Sequence, residues 1–218
     1  MLLSHKAEAL LKAKAKTKRG KETFARICEA AERQLTANGY YGTRIEDIAK
    51  SIDVSVGTFY IYFHDKLGLY KYIVLQYCQK LRKYIATRLA AMNLTTRIEI
   101  EREGLKLFLG FCVENPAIFH LIWQSLFVAP ELLIEYYDDF CKQYEKQLSY
   151  AVRSGEVRHM NLEVLSYALM GSINLLAMKY VIFSPPSGVT DEQLYRVVDE
   201  WMLVLKHGMF ICDPSSDS

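Results

Sequence analysis

The sequence predicts an all-α protein, with an N-terminal three-helix helix-turn-helix domain and a larger C-terminal helical domain. Three observations carry that prediction. Apolar residues recur every three or four positions, and residues 92–212 hold no alternation of strand type. Capping residues, prolines and glycines mark helix starts and stops. Between Thr43 and Lys66 the pattern shortens into two small helices around a tight turn.

The chain opens with a basic lead, residues 1–20, holding Lys6, Lys12, Lys14, Lys16, Lys18 and Arg19 against Glu8 alone. It is expected to be a fraying helix with little to bury. It is either an arm that neutralises phosphates or reaches a minor groove, or a solvated tail. A helix then runs from Glu22 to Asn38, with Phe24, Ile27, Cys28, Ala31 and Leu35 on one face. Gly39 ends it, where a left-handed residue costs least. Thr43 and Glu46 have capping-box spacing. Ile45, Ile48, Ala49 and Ile52 give the next apolar stripe. After the turn Ile52-Asp53-Val54, Ser55 caps a second short helix. Its first turn carries the small or hydroxyl residues Ser55, Gly57 and Thr58, suited to close approach into a DNA major groove.

Asp65 caps a long helix from about Lys66 to Ala91, with Leu67, Tyr70, Val74, Tyr77, Cys78, Leu81 and Ile85 as its buried stripe. No Pro or Gly lies between Leu69 and Glu103 to break it. Further helices are predicted at about 95–114, 116–127, 130–154, 161–183 and 190–207. Pro116 and Pro130 fit first-turn positions. Gly155 follows a helix end, Asn161 caps a helix, and residues 184–188 break it. Thr190 with Gln193 makes a capping box.

Composition limits the function. The 218 residues suffice for one or two cores, and 51% apolar with 24% charged residues is ordinary for a globular protein. No apolar run approaches transmembrane length. The N-terminus lacks a signal-peptide core, so a cytoplasmic location is expected. Cys28, Cys78, Cys112, Cys141 and Cys212 form no C-x-x-C pair and are expected to be free thiols. The five histidines form no cluster with the cysteines, so no metal site or cofactor is expected. Net charge is only +2, yet residues 1–66 hold 12 Lys/Arg against 8 Asp/Glu, while the remainder holds 15 against 17. The basic excess lies at the helix-turn-helix end, as DNA binding requires.

The stretch Gly39 to Lys66 resembles the DNA-binding signature of the TetR family of one-component regulators. Gly39-Tyr40, Thr43, Ile45, Ile48, Ala49, Val54, Ser55, Gly57, Thr58, Tyr60, Tyr62, Phe63 and Lys66 carry the match. Asp53 stands where the family commonly has Gly, Phe59 where Leu is usual, and Gly68 where Glu is usual. The resemblance divides the chain into a basic arm (1–20), a DNA-binding domain (21–66), a ligand-binding and dimerisation domain (67–212) and a tail (213–218). The residues proposed to meet DNA are Thr43, Arg44, Ser55, Val56, Gly57, Thr58, Tyr60, Tyr62, His64 and Lys66. Arg44 reaches guanine or phosphate and Val56 a thymine methyl, with Tyr60, Tyr62, His64 and Lys66 as phosphate clamps.

The resemblance also implies a ligand cavity in the body. Its candidate lining is Phe108, Phe111, Cys112, Phe119, His120, Trp123, Phe127, Tyr137, Phe140, Tyr144, Tyr167, Met170, Asn174 and Met178. Asn174 and His120 are polar groups in apolar surroundings and would orient a ligand or bond backbone. With no charge cluster evident there, a mostly apolar or amphipathic effector is expected. The last two helices imply a homodimer interface at Ala168, Gly171, Leu175, Leu194, Val198, Trp201 and Leu205. The resulting expectation is a homodimeric transcriptional repressor, released from a palindromic double-stranded operator by a small molecule. The alternatives are an activator on the same fold, or a helical enzyme with a pocket around His120.

Overall fold

The computed structural model describes residues 2–183 and 189–207. The expected break at 184–188, the tail at 213–218 and Cys212 lie outside them. The described residues form ten α-helices: α1 Leu2–Ala9, α2 Lys18–Gly42, α3 Ile45–Ser51, α4 Val56–Tyr62, α5 Lys66–Ala91, α6 Arg97–Glu114, α7 Pro116–Val128, α8 Pro130–Arg153, α9 Leu162–Met178 and α10 Asp191–His207. A π-helical turn, Lys179–Phe183, extends α9. One isolated bridge pairs Leu11 with Phe63.

The caps explain most of the boundaries. Ser55 Oγ accepts from the Thr58 N–H at 3.2 Å, and Asp65 Oδ1 from the Gly68 N–H at 2.6 Å. Asn161 Oδ1 accepts from Val164 at 3.0 Å, and Thr190 and Gln193 bond reciprocally at 3.0 and 3.2 Å. Each such cap stabilises its helix by about 1 kcal/mol. Gly39 adopts φ 69° as expected, but the helical path resumes to Gly42, so the glycine kinks α2 rather than ending it. Asp53 holds the turn at φ 53°, a left-handed position that Asp tolerates.

Two caps differ from expectation. The Thr43–Glu46 box does not form. Thr43 is buried and its hydroxyl donates to the Gly39 carbonyl at 2.8 Å, leaving Arg44 as a cap without a side-chain bond. A box that was not expected opens α6. There Glu99 Oε2 accepts from the Thr96 N–H at 3.0 Å, and Thr96 Oγ1 accepts from the Glu99 N–H.

Helices α2 to α4 make the head. Ile27, Leu35, Ile48, Phe59 and Phe63 are essentially fully buried in it. Each side chain contributes about 1.5–3 kcal/mol relative to exposure. Their cluster runs without interruption into Leu69, Tyr70, Ile73 and Leu121, so head and body share a core. At this junction the Tyr40 N–H donates to Gln124 Oε1 at 3.2 Å, and Tyr70 Oη donates to the Leu121 carbonyl at 2.6 Å.

The basic lead is neither a free arm nor a tail. Ala7 is fully buried, α1 packs on α5, and Lys12 N–H donates to the Tyr62 carbonyl at 2.8 Å. Lys6 pairs with Glu135 at 2.8 Å on α8. The apolar Ala7, Leu10 and Leu11 give this segment a packing face, which its lysines obscure in a charge count.

The body surrounds a second cluster of Leu109, Cys112, Phe119, Ile173, Ala177, Leu194, Val198 and Met202. Leu162–Phe183 is long and apolar enough to cross a membrane by length and composition alone, as the core helix of a soluble protein also can be, and 28% of its most apolar window is buried. An apolar face of this helix is therefore left outside the subunit.

Candidate nucleic-acid interface and effector cavity

The turn at Asp53 sets α3 and α4 against each other, and Phe59 and Phe63 anchor α4 in the head. Ser55, Gly57, Tyr60 and Ile61 are left exposed on α4, with Val56 and Thr58 half-buried beside them. Ser55 Oγ lies 3.0 Å from Thr58 Oγ1, so the two hydroxyls form one polar patch at the start of the helix. Arg44 and His64 are exposed at its flanks, and Arg44 Nε donates to Asp47 Oδ2 at 3.1 Å. An exposed row of small, hydroxyl and aromatic groups on a short, rigidly held helix suits entry into a major groove.

Three expected contacts are already committed within the head. Thr43 is buried, as described above. Tyr62 is buried, with Oη donating to the Gly20 carbonyl at 3.1 Å. Lys66 Nζ donates to the carbonyls of Tyr40 and Thr43, each at 2.8 Å, and sits over the Tyr40 ring. Lys66 thus ties the end of α2 to the start of α5 rather than standing free as a phosphate clamp. Tyr41, three residues before Arg44 in the chain, is 78% exposed, an aromatic that sequence reasoning did not single out.

A cavity of about 290 Å³ lies between α5, α6, α8 and α9. Of the expected lining, Phe108, Phe140, Tyr144, Met170 and Asn174 border it. Asn174 Nδ2 donates to the Met170 carbonyl, so backbone satisfies it in part. Phe111, Cys112, Phe119 and Tyr137 border a smaller adjoining void with Phe108 and Asn174. His120, Trp123, Phe127, Tyr167 and Met178 border neither. Phe127 is 78% exposed, Tyr167 Oη donates to Asp138 on the outer surface, and Met178 packs in the second cluster.

The cavity is also less apolar than expected, because Arg82, Arg97, Glu101, Gln143 and Gln147 line it. Arg97 Nε donates to Glu101 Oε1 at 2.7 Å, and Tyr144 Oη donates to Glu101 Oε2 at 2.5 Å. Burial alone would lower the Arg97 pKa, but Glu101 and Tyr144 outweigh it and the net shift is upward. Burial pushes the Cys78 and Cys112 thiols up to about 12, so both stay protonated.

The head matches the family model for bacterial regulatory proteins of the tetR family over residues 27–73. The chain carries a TetR-family DNA-binding domain in its head. It is a DNA-binding transcriptional regulator rather than an enzyme. A Bacillus subtilis protein named "Probable HTH-type transcriptional regulator YttP" is 24% identical over 162 residues, covering 73% of this chain and 77% of that one. Among solved structures, the fatty acid degradation regulator FadR of Bacillus halodurans superposes with a TM-score of 0.73 at 15% identity, covering 90% of this chain and 98% of that one. FadR of Bacillus subtilis, solved in complex with stearoyl-CoA, gives 0.66 at 18% identity, covering 86% and 100%. These likenesses establish the fold.

Within this TetR-type body, the expected dimer residues divide in two. Leu194 and Val198 are buried inside the subunit against α6, and Leu205 borders the cavity, so these three form intrachain core. Trp201 is half-buried. Ala168, Gly171 and Leu175 are exposed on one face of α9 with Val164 and Tyr167, and Leu203 and Val204 are exposed on α10. The cavity residues missed from sequence left some trace there. Arg82 interrupts the stripe of Cys78, Leu81 and Ile85, and Arg97 and Glu101 sit one helical turn apart.

Proposed function

We propose that this TetR-family regulator is a cytoplasmic homodimeric repressor that leaves a palindromic operator when a small, mostly apolar ligand enters the body. The observation that carries the reading is the position of α5. Its C-terminal half supplies Leu81, Arg82, Ile85 and Leu89 to the cavity wall, while Lys66 at its first turn is bonded to the end of α2. A ligand that fits only one tilt of α5 favours one placement of the head, and its differential affinity for that form sets the loss of DNA affinity. The exposed apolar residues of α9 and α10 support a two-fold pairing, which would place two heads on two half-sites. Ser55, Val56, Gly57 and Thr58 meet base edges in this reading, with Arg44, Tyr60 and His64 on phosphates or flanking bases.

The test is selection of bound duplexes from a random DNA pool, followed by footprinting. The expected result is a palindromic site protected symmetrically, with protection lost as cavity-binding compounds are added. An asymmetric site bound by one monomer would overturn the dimer reading. Protection unchanged by every compound that binds the body would overturn ligand release.

A further inference from the structure

Arg82 has a role that the rest of the cavity does not explain. It enters the wall from α5, between Leu81 and Ile85. Its guanidinium lies 4.9 Å from the centre of the Tyr136 ring and 5.5 Å from that of Phe140, both also in the wall. One arm, Nη2, donates to the Tyr136 carbonyl at 3.1 Å, while the buried Nε–H has no acceptor. Among the described residues no carboxylate pairs with Arg82, whereas the other cavity arginine, Arg97, is neutralised by Glu101. The charged residues of the lining are therefore two arginines and one glutamate, leaving one positive charge in a mainly apolar wall that also holds Gln143, Gln147 and Asn174. A guanidinium remains charged, and its planar fork matches a carboxylate. Partial burial and aromatic neighbours strengthen such a pairing relative to bulk water.

We propose that the cavity takes a compact amphipathic carboxylate, its anionic head on Arg82 and its apolar body against residues such as Phe108, Met170 and Ile173. This rests on the cavity being the effector site. A volume of about 290 Å³ lies at the small end of ligand pockets and suits a short chain or a single ring system. The same positive charge fits the position of Arg82 on α5: a carboxylate bound there would pull directly on the helix that carries the head.

Calorimetric titration of the full-length protein with decanoate, decan-1-ol and decanoyl-CoA tests this. Decanoate is expected to bind at least about tenfold tighter than decan-1-ol, the low end for a hydrogen bond to a charged group. Arg82→Gln should remove that preference, so that acid and alcohol bind alike. Arg82→Lys should retain part of the preference, and it decides the matter if Arg82→Gln loses decan-1-ol as well. Equal binding of acid and alcohol by the wild type, undiminished decanoate binding by Arg82→Gln, or binding of decanoyl-CoA alone would overturn the proposal, as would failure of all three to bind. Anisotropy with operator DNA separates the two readings. Arg82-dependent decanoate binding without DNA release would leave this assignment standing and overturn the release mechanism. Release by decan-1-ol with no preference for the acid would do the reverse.

Discussion

Tyr60 and Tyr62 lie two positions apart on α4 and have opposite environments. Tyr60 is 40% exposed, while Tyr62 is 7% exposed and bonded to the Gly20 carbonyl. Two steps along a helix turn a side chain through roughly 200°, so one ring faces out and the other in. Tyr60→Ala and Thr58→Ala should each lower operator affinity about tenfold, within the usual range for a lost DNA contact, and leave the oligomeric state intact. Fluorescence anisotropy and analytical ultracentrifugation check the two parts. Tyr62→Phe should instead lower stability by about 1 kcal/mol, the net value of an ordinary hydrogen bond. Urea denaturation would read that loss, with operator affinity in low salt unchanged. The sequence placed both tyrosines in the signature but gave no sign of the Gly20 carbonyl, 42 residues away. Lys66 was obscured in the same way, since its two carbonyl partners depend on where the kinked end of α2 comes to rest.

Two elements connect local chemistry to the whole body. Helix α1 is held through the buried Ala7 and the Lys6–Glu135 pair, and the Lys12 N–H just beyond it bonds Tyr62, so the N-terminal segment spans from α4 to α8. Ala7→Glu places an unpaired charge in that contact and should lower the thermal midpoint measurably by calorimetry. The start of α6 predicts a pH effect. Hydrogen bonds from the Thr95 and Thr96 N–H groups hold the Glu99 carboxyl below the usual carboxylate range, and the Arg97 N–H does the same for Glu156. A depressed carboxylate stabilises the fold above its unfolded pKa, near 4.3, and that contribution disappears as pH falls through the lower folded value. Thermal midpoints should therefore fall on acidification below about pH 4.3, and Glu99→Gln should flatten part of the fall. Capping signals at Ser55, Asp65, Asn161 and Thr190 were legible because each involves residues within one turn. Thr43 broke the rule because the kink at Gly39 left a carbonyl within reach of its hydroxyl.

At the scale of the molecule, the exposed apolar face of α9 is the feature most in need of a partner. Leu175 is 60% exposed and Val164 64% exposed, and Gly171 between them has open space where a Cβ would stand. Leu175→Glu should convert the proposed dimer to monomer in sedimentation velocity, with the helical circular dichroism spectrum retained. Operator affinity should fall with it, because a single head loses the second half-site.

The sequence by itself determined that the protein is all-helical, where most helices begin and end, and that a TetR-type reading head lies at residues 43–66. These depend on periodicity, capping and a compact local signature, all of which act over a few residues. Only the tertiary structure decided which side chains of that signature are free, that α1 docks instead of hanging loose, and that Leu194 and Val198 face inward. It also decided that Arg82, Arg97 and Glu101 from α5 and α6 meet Tyr144 from α8 in one cavity. A helix shows from its sequence which residues share a face, but what that face meets is set by how the other helices pack.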